Sequence, residues 1–333
     1  AYDALILCAG ATDRLMPVPG WHRAGCYSLG ASQIALKAQA CAIGSQVVFM
    51  GSGPLLYLVA SQYVQAGAKV VAVLDTAPFF KSAKALMGLL ARPTLALRGL
   101  GLIRGLRAAG VPVLQGVTPL QIDGDDTLGV QAVTVRTTQG ATQRFECDAV
   151  GLGWHLRSET QLADLARCEF AFEPQSRQWL PRIDEDGRSS TQGVYLAGDG
   201  TRILGADGAE AAGRLAALAA LHDAAHTAGQ ATYREQAPGL RRTLATMDRF
   251  RQGLIHAFPW PHQQAAALPD EAIVCRCEAV TAGELRRCVT ELDSQEVNRA
   301  KAFSRVGMGR CQGRFCGHAA AEVIAHTCSI PIE

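Results

Sequence analysis

Lysine is scarce. It stands only at positions 37, 69, 81, 84 and 301, and arginine supplies the rest of the 32 basic residues. Against 30 acidic residues the formal net charge is +2, so no basic field selects for nucleic acid. Long apolar runs are missing too. The most apolar helical stretch, EAAGRLAALAALHDAAH, is interrupted by Glu210, Arg214, His222 and Asp223, so no transmembrane segment is expected. The N-terminal AYDALILCAGA has no basic region before its apolar run, so no export signal is expected. No C-x-x-C occurs, which removes thioredoxin-like dithiol chemistry. No Ser-His-Asp, paired-carboxylate or general-base constellation stands out, the eight histidines are dispersed, and catalytic residues stay unassigned.

What is abundant is cysteine. Eleven is an odd number, and with the irregular spacing it argues against a secreted disulfide framework. The expected location is the reducing cytoplasm, with peripheral attachment to the inner face of a membrane left open. Cys8, Cys26, Cys41, Cys147, Cys168, Cys288 and Cys328 are scattered and mostly read as small core residues. The other four are ordered: Cys275 and Cys277 as C-x-C, then Cys311 and Cys316 as C-x4-C. Four thiolates can hold zinc or a [2Fe–2S] cluster. Zinc ribbons generally use two C-x2-C knuckles, whereas here the pairs are C-x-C and C-x4-C. Gly307, Gly309, Gly313 and Gly317 bracket the second pair and free backbone N–H groups to face sulfur. Arg276, Arg310 and Arg314 are placed to offset thiolate charge, and His318 reads as incidental. Between the pairs, VTAGELRRCVTE reads as a helix capped by Thr281 with Glu284 at its third position.

The 333 residues suffice for about two domains with real cores. YDALILCAGA is an apolar strand ending in a glycine turn, followed by the proline-rich loop TDRLMPVPGW, and it reads as the middle of a domain. SQVVFMGSGPLLYLVASQYVQAGAKVVAVLD reads as strand, turn, helix, strand: residues 47–50 are a continuous apolar run, Pro54 suits a first helical turn, and 69–74 form the second strand. Residues 80–110 read as helix with Arg92, Arg98, Arg104 and Arg107 among leucines, either a connector with a solvated face or a contact with another protein chain. VPVLQG and the stretch 128–153 alternate like antiparallel strands. GVYLAGDG is a buried strand ending in Gly198, Asp199 and Gly200, and a helix rich in small residues follows. No internal repeat is evident.

GSGPLL is the front half of a dinucleotide fingerprint. Gly51 allows the turn and Gly53 lets a pyrophosphate approach a helix N-terminus, but the third position is Leu56. Asp75 stands where an acidic group meets a ribose 2′-OH, which favours NAD. A Rossmann-like domain that has lost its dinucleotide is the competing reading. Asp199 can accept a hydrogen bond from a polyol, and the helix N-terminus after it presents N–H groups and a positive dipole to an electron-rich ring edge.

With Cys8-Ala9-Gly10-Ala11 matching an A-T-G-A strand-turn and Gly198-Asp199 a late G-D motif, residues 1 to about 230 resemble the FAD-dependent pyridine nucleotide-disulfide oxidoreductase superfamily. The resemblance implies that Asp199 meets the flavin ribityl chain and that FAD lies against Gly10, Ala11, Gly198, Gly200, Gly205 and Ala206. It implies NAD, ATP or another nucleotide at Gly51, Gly53 and Asp75. It also implies that the first FAD fingerprint lies outside this sequence, on a missing N-terminal half or another chain. The string GMGRCQGRFCG resembles the bacterioferritin-associated-ferredoxin-like [2Fe–2S] domain in the alpha subunits of heteromeric FAD-dependent amino-acid dehydrogenases, a group with opine oxidases, proline and hydroxyproline dehydrogenases and hydrogen cyanide synthase.

The expected fold class is α/β, with two Rossmann-like domains and a small helical cysteine-cluster domain. The FAD-type domain is placed at 1–44 and 150–235, incomplete at its N-terminus, with an NAD-type domain inserted at 45–149. A linker with one helix is placed at 236–270 and the cluster domain at 271–333. By resemblance, a partner flavoprotein subunit oxidises a carbon–nitrogen bond and this chain relays the electrons; a further partner implied is a small ferredoxin-like subunit. Two alternatives stand beside it: an NADH-dependent flavin reductase feeding its own cluster, and a non-catalytic nucleotide-binding scaffold with a structural zinc.

Overall fold

The computed structural model describes residues 3–78, 82–225 and 227–333. The chain divides into two compact units. One is Ala1–Thr12, Ser82–Ala96 and Leu156–Ala257; the other is Asp13–Lys81, Leu97–His155 and Phe258–Glu333.

In the first unit, strand Leu5–Leu7 lies parallel to Val194–Leu196, with Leu5 opposite Val194. Phe170–Glu173 and Gln178–Pro181 form an antiparallel pair. Helix Ala206–Asp223 buries Gly208, Ala211, Leu215, Ala216, Ala219 and Ala220. The stretch expected to be a linker helix forms the end of a 31-residue helix, Thr227–Ala257. Against it lies helix Ala83–Leu89, so closely that a Cβ on Gly88 would fall 2.5 Å from the Gly253 Cα. The helix expected over 80–110 is two helices, Ala83–Leu89 and Pro93–Ala108; residues 80 and 81 lie outside the described residues. Pro93 explains the break, because proline disfavours helical geometry in the residue before it. A buried ion network ties the unit together. Asp186, 3% exposed, accepts from Arg188, Arg241 and the Tyr233 hydroxyl. Burial pushes its carboxyl up, but the Arg241, Tyr233 and Arg188 bonds outweigh this and hold it down to about 2.

The second unit is organised by a five-stranded parallel sheet in the order Cys26–Ser28, Ala149–Trp154, Val47–Ser52, Val70–Asp75, Val113–Gln115. Helix Pro54–Gln65 follows its strand directly, with proline in its first turn and Gly53 at φ +106° before it. Leu56, fully buried, fills the space between helix and sheet that a glycine or alanine leaves in the complete fingerprint. Two readings change here. VPVLQG supplies the parallel edge strand, and Ala149–Trp154 lies inside the sheet, buried at every position, so it has no solvent face to impose alternation. The antiparallel layer is confined to Thr118–Asp125, Gly129–Arg136 and Thr142–Glu146. Because Val150 pairs with Cys26 and with Val48, neither boundary expected at 44/45 nor that at 149/150 separates the units.

The C-terminal module of this unit holds a short hairpin, Ile273–Cys275 with Val280–Thr281, and helices Ala282–Leu292, Val297–Ser304 and Gly317–Cys328. The capping box is formed as expected: the Thr281 hydroxyl accepts from the Glu284 N–H and the Glu284 carboxylate accepts from the Thr281 N–H. Among the described residues no single helix is long and apolar enough to cross a membrane.

Two stability tests follow from these contacts. Thr281→Ala should cost about 0.5–2 kcal/mol in denaturant unfolding, the usual effect of losing an N-cap. Asp186 has a lowered pKa in the folded state, so its contribution is present above the ordinary value of 3.8 and is lost as pH falls through about 2. Asp186→Asn should therefore flatten the acid-side fall in melting temperature across that window.

Candidate redox centres

The four ordered cysteines converge as two pairs. Cys275, at the end of its strand, and Cys316, directly before helix Gly317–Cys328, are each 1% exposed and share a hydrogen bond. Cys277 is exposed and Cys311 half-buried, and their sulfurs lie 4.0 Å apart. The Cys316 thiol, together with the backbone N–H groups of Gly307, Glu278 and Cys277, holds Cys275 down to about 5 against its burial. The same bond and burial push Cys316 up. The bond thus favours the thiolate on Cys275, and thiolate is the form that ligates metal.

Glycine builds the loop around them. Gly307 and Gly313 adopt φ of +76° and +75°, and a Cβ on Gly309 would fall 2.2 Å from the Cys277 Cβ. Arg276 stacks between Trp21 and Phe315, 5.2 Å from each ring, and Arg305 bonds Glu278 at 2.8 Å. Arg314 reaches the Cys311 carbonyl and Arg310 is exposed. His318 sits 3.4 Å from an Arg14 nitrogen. Among the described residues, no three His, Cys, Asp or Glu side chains surround one point as a single metal ion requires. A [2Fe–2S] cluster takes four thiolates, two on each iron, which is the number that these two pairs supply. Of the scattered cysteines, Cys26, Cys147, Cys168 and Cys288 are buried as expected, while Cys8 and Cys41 are exposed.

The flavin-type motifs also meet. A Cβ on Gly200 would lie 3.4 Å from the Gly10 nitrogen and 3.5 Å from the Ala9 nitrogen, so the two turns stand side by side although they are far apart in sequence. Gly10, Gly198 and Gly205 have φ of +73°, +72° and +79°. Added Cβ atoms at Gly10 and Gly205 would meet nothing within 4 Å, which leaves both turns open to a ligand. Asp199 is half-buried, and one of its oxygens accepts from the N–H groups of Leu204 and Gly205, shaping the approach to helix Ala206–Asp223. Gly10 stands beside Gly200, and Asp199 turns onto Gly205 at the start of the helix that Ala206 opens, an arrangement that fits the polyol-and-ring-edge role expected of these turns.

The third set is different. A Cβ on Gly51 would lie 1.8 Å from the Gly153 carbonyl oxygen, so this glycine serves strand packing. A Cβ on Gly53 would touch the His155 ring at 3.2 Å. Asp75 is fully buried; it accepts from the Tyr57 hydroxyl at 2.5 Å and the Ala77 N–H at 2.8 Å, and burial raises it to about 6. Its position along the chain suits a ribose contact, but its carboxylate is turned into the protein. His155, Trp154, Tyr57 and Phe258 were not anticipated. Nothing in their local sequence marks them, because they meet only across the fold.

Residues 1–229 match the pyridine nucleotide-disulphide oxidoreductase family and residues 273–326 the BFD-like [2Fe-2S] binding domain. The chain is 38% identical over 329 residues to a subunit of the opine oxidase of Rhizobium meliloti, covering 97% of this chain and 61% of that protein. It is 32% identical over 324 residues to hydrogen cyanide synthase subunit HcnB of Pseudomonas protegens, covering 95% of this chain and 68% of that protein. The chain therefore spans about three fifths to two thirds of the length of these relatives. In fold it is similar to L-proline dehydrogenase from P. horikoshii, with a TM-score of 0.63 at 15% identity over 99% of this chain and 54% of that one. Two converging thiol pairs, a glycine-lined flavin-type cradle and a Rossmann-like parallel sheet thus stand in one chain, which belongs to the pyridine nucleotide-disulphide oxidoreductase family and carries a C-terminal BFD-like [2Fe-2S] binding domain.

Proposed function

We propose that this chain is the electron-relaying subunit of a heteromeric dehydrogenase that oxidises an opine-type amine or amino acid at a carbon–nitrogen bond. A partner flavoprotein subunit takes the substrate, a small ferredoxin-like subunit completes the assembly, and this chain carries the electrons onward. The observation behind the reading is the pairing of thiols, one pair buried and one at the surface, in the same chain as the flavin-type cradle. The relatives whose names mention opine oxidase and hydrogen cyanide synthase support the substrate class.

FAD and a [2Fe–2S] cluster, when bound, supply a two-electron acceptor and a one-electron carrier, so a pair of electrons taken from a C–N bond can leave singly. Asp199 and the turns at Gly10 and Gly205 would hold the ribityl chain and ring edge. Cys275 and Cys316 would hold the inner iron, away from water, and Cys277 and Cys311 the outer one, at the surface where an acceptor can approach. The backbone N–H groups of Gly307, Glu278 and Cys277 facing Cys275 favour its thiolate. Arg276, fixed between two aromatic rings, places a cation beside the C-x-C pair.

Three outcomes test this. Anaerobically purified complex should contain two irons and two acid-labile sulfides for each copy of this chain, with absorption on the red side of the flavin bands that dithionite bleaches; stoichiometric zinc without sulfide would refute the relay. Cys311→Ser should lose that absorption while flavin is retained, and its survival unchanged would remove Cys311 from the ligand set. Asp199→Ala should weaken flavin retention by ~10-fold or more, the worth of one charge-assisted hydrogen bond, read by FAD released on gel filtration.

A further inference from the structure

We propose that the dinucleotide cleft of this chain is a socket filled by the chain's own residues 258–260, which anchor the cysteine module there, and that it takes no NADH or ATP. The inference goes beyond the relay reading and stands on the second unit alone.

In open parallel sheets a dinucleotide lies beyond the carboxyl ends of the strands, with its pyrophosphate over the glycine turn and its ribose on the acid of the next strand. Here those ends are Ser52, Trp154 and Asp75, brought side by side by the pairings Ser52–Trp154 and Gly51–Asp75. Every one of the expected contacts is already used. Trp154 is fully buried and its indole N–H donates to Thr76 at 3.0 Å. His155 takes the left-handed conformation, φ +62°, a region that histidine enters more readily than most side chains. That conformation lays its ring against Gly53, where a pyrophosphate would have to approach. Its Nε2 lies 2.6 Å from the Phe258 carbonyl oxygen, and the two rings meet edge to face at 6.0 Å. A carbonyl only accepts, so Nε2 carries the proton. Burial holds the ring's pKa down to about 4, so the imidazole is neutral there. Asp75 is satisfied by Tyr57 and Ala77 and has no exposed surface to offer a ribose.

The segment beginning at Phe258 continues the same packing. Trp260, 5% exposed, joins Trp154, Met50, Leu74, Leu15 and Met16 in one apolar cluster. Arg14, 3% exposed, stacks on it at 4.0 Å, and its indole N–H donates to Glu322 in the last helix at 3.1 Å. Trp21 donates to the Ile273 carbonyl at 2.6 Å, two residues before Cys275. The cysteine module keeps its own core, and Trp260 and Phe315 pack on the core of the sheet and tie the two together beside the place where a nucleotide would bind. Gly53 is kept for a second use of its missing side chain: it makes room for an imidazole instead of a phosphate.

Hydrogen–deuterium exchange on the intact complex reads this directly and assigns the result to this chain even if another protein of the complex binds nucleotide. Adding NADH, NAD⁺ or ATP at ~1 mM, the top of the usual KM range, should leave amide exchange at residues 51–57 unchanged. His155→Ala should speed exchange at residues 258–262 by about ten-fold, because it removes the bond and ring that hold Phe258. Saturable slowing at 51–57 on adding any of the three nucleotides would overturn the proposal. So would unchanged exchange at 258–262 in the variant, and the nucleotide arm decides the matter even if that variant fails to fold. Loss or retention of the cluster bears on the relay reading and not on this one.

Discussion

Two of the four ordered thiols are also core residues. Cys275 and Cys316 pack with Val274, Val280, Leu285, Val306 and Val323 in the apolar centre of the C-terminal module, and each is almost wholly hidden from water. The module cannot lose this packing and keep its donor set, nor rearrange the donors and keep its packing. Gly307 and Gly313 turn the surrounding loop through the left-handed conformation, and Gly309 leaves the room that Cys277 needs, where a side chain would collide. The outer pair escapes the constraint, since Cys277 and Cys311 stand on the loop side, and the asymmetry gives a buried donor side and a surface donor side.

The two nucleotide-type regions have diverged in opposite directions. Around Gly10, Gly198 and Gly205 the turns stay open, and Asp199 spends one oxygen on backbone groups that shape the following helix. Around Gly53 the same kind of turn is covered by the His155 ring. A glycine fingerprint reports only that a backbone can be approached closely, and either a ligand or the protein itself can make that approach. In the second unit the protein makes it, and the apolar surface so buried is shared between the sheet and the cysteine module.

Much of the fold was legible where one local rule dominates. Residues 47–50 are buried on both faces and read as an uninterrupted apolar run. The Thr281 cap follows from the side chains of a single turn. Legibility failed where burial came from distant partners. Ala149–Trp154 looks like an alternating strand until Cys26–Ser28 and Val47–Ser52 flank it, and Leu56 looks like damage to a motif until helix and sheet close on it.

The sequence by itself determined the chemistry available: four thiols in two spaced pairs, glycine turns at the ends of apolar strands, and an aspartate in the GDG turn. Residue type and spacing settle which groups can bind sulfur-loving metal or polyol, because donor chemistry belongs to the side chain. Only the tertiary structure decided how those groups are used. It sorted the thiols into an inner and an outer pair, turned Asp75 inward onto Tyr57, and set His155 over Gly53 under the Phe258 carbonyl. Those outcomes depend on which surfaces exclude water together, and contacts between residues as far apart as 155 and 258 leave no mark in either local sequence.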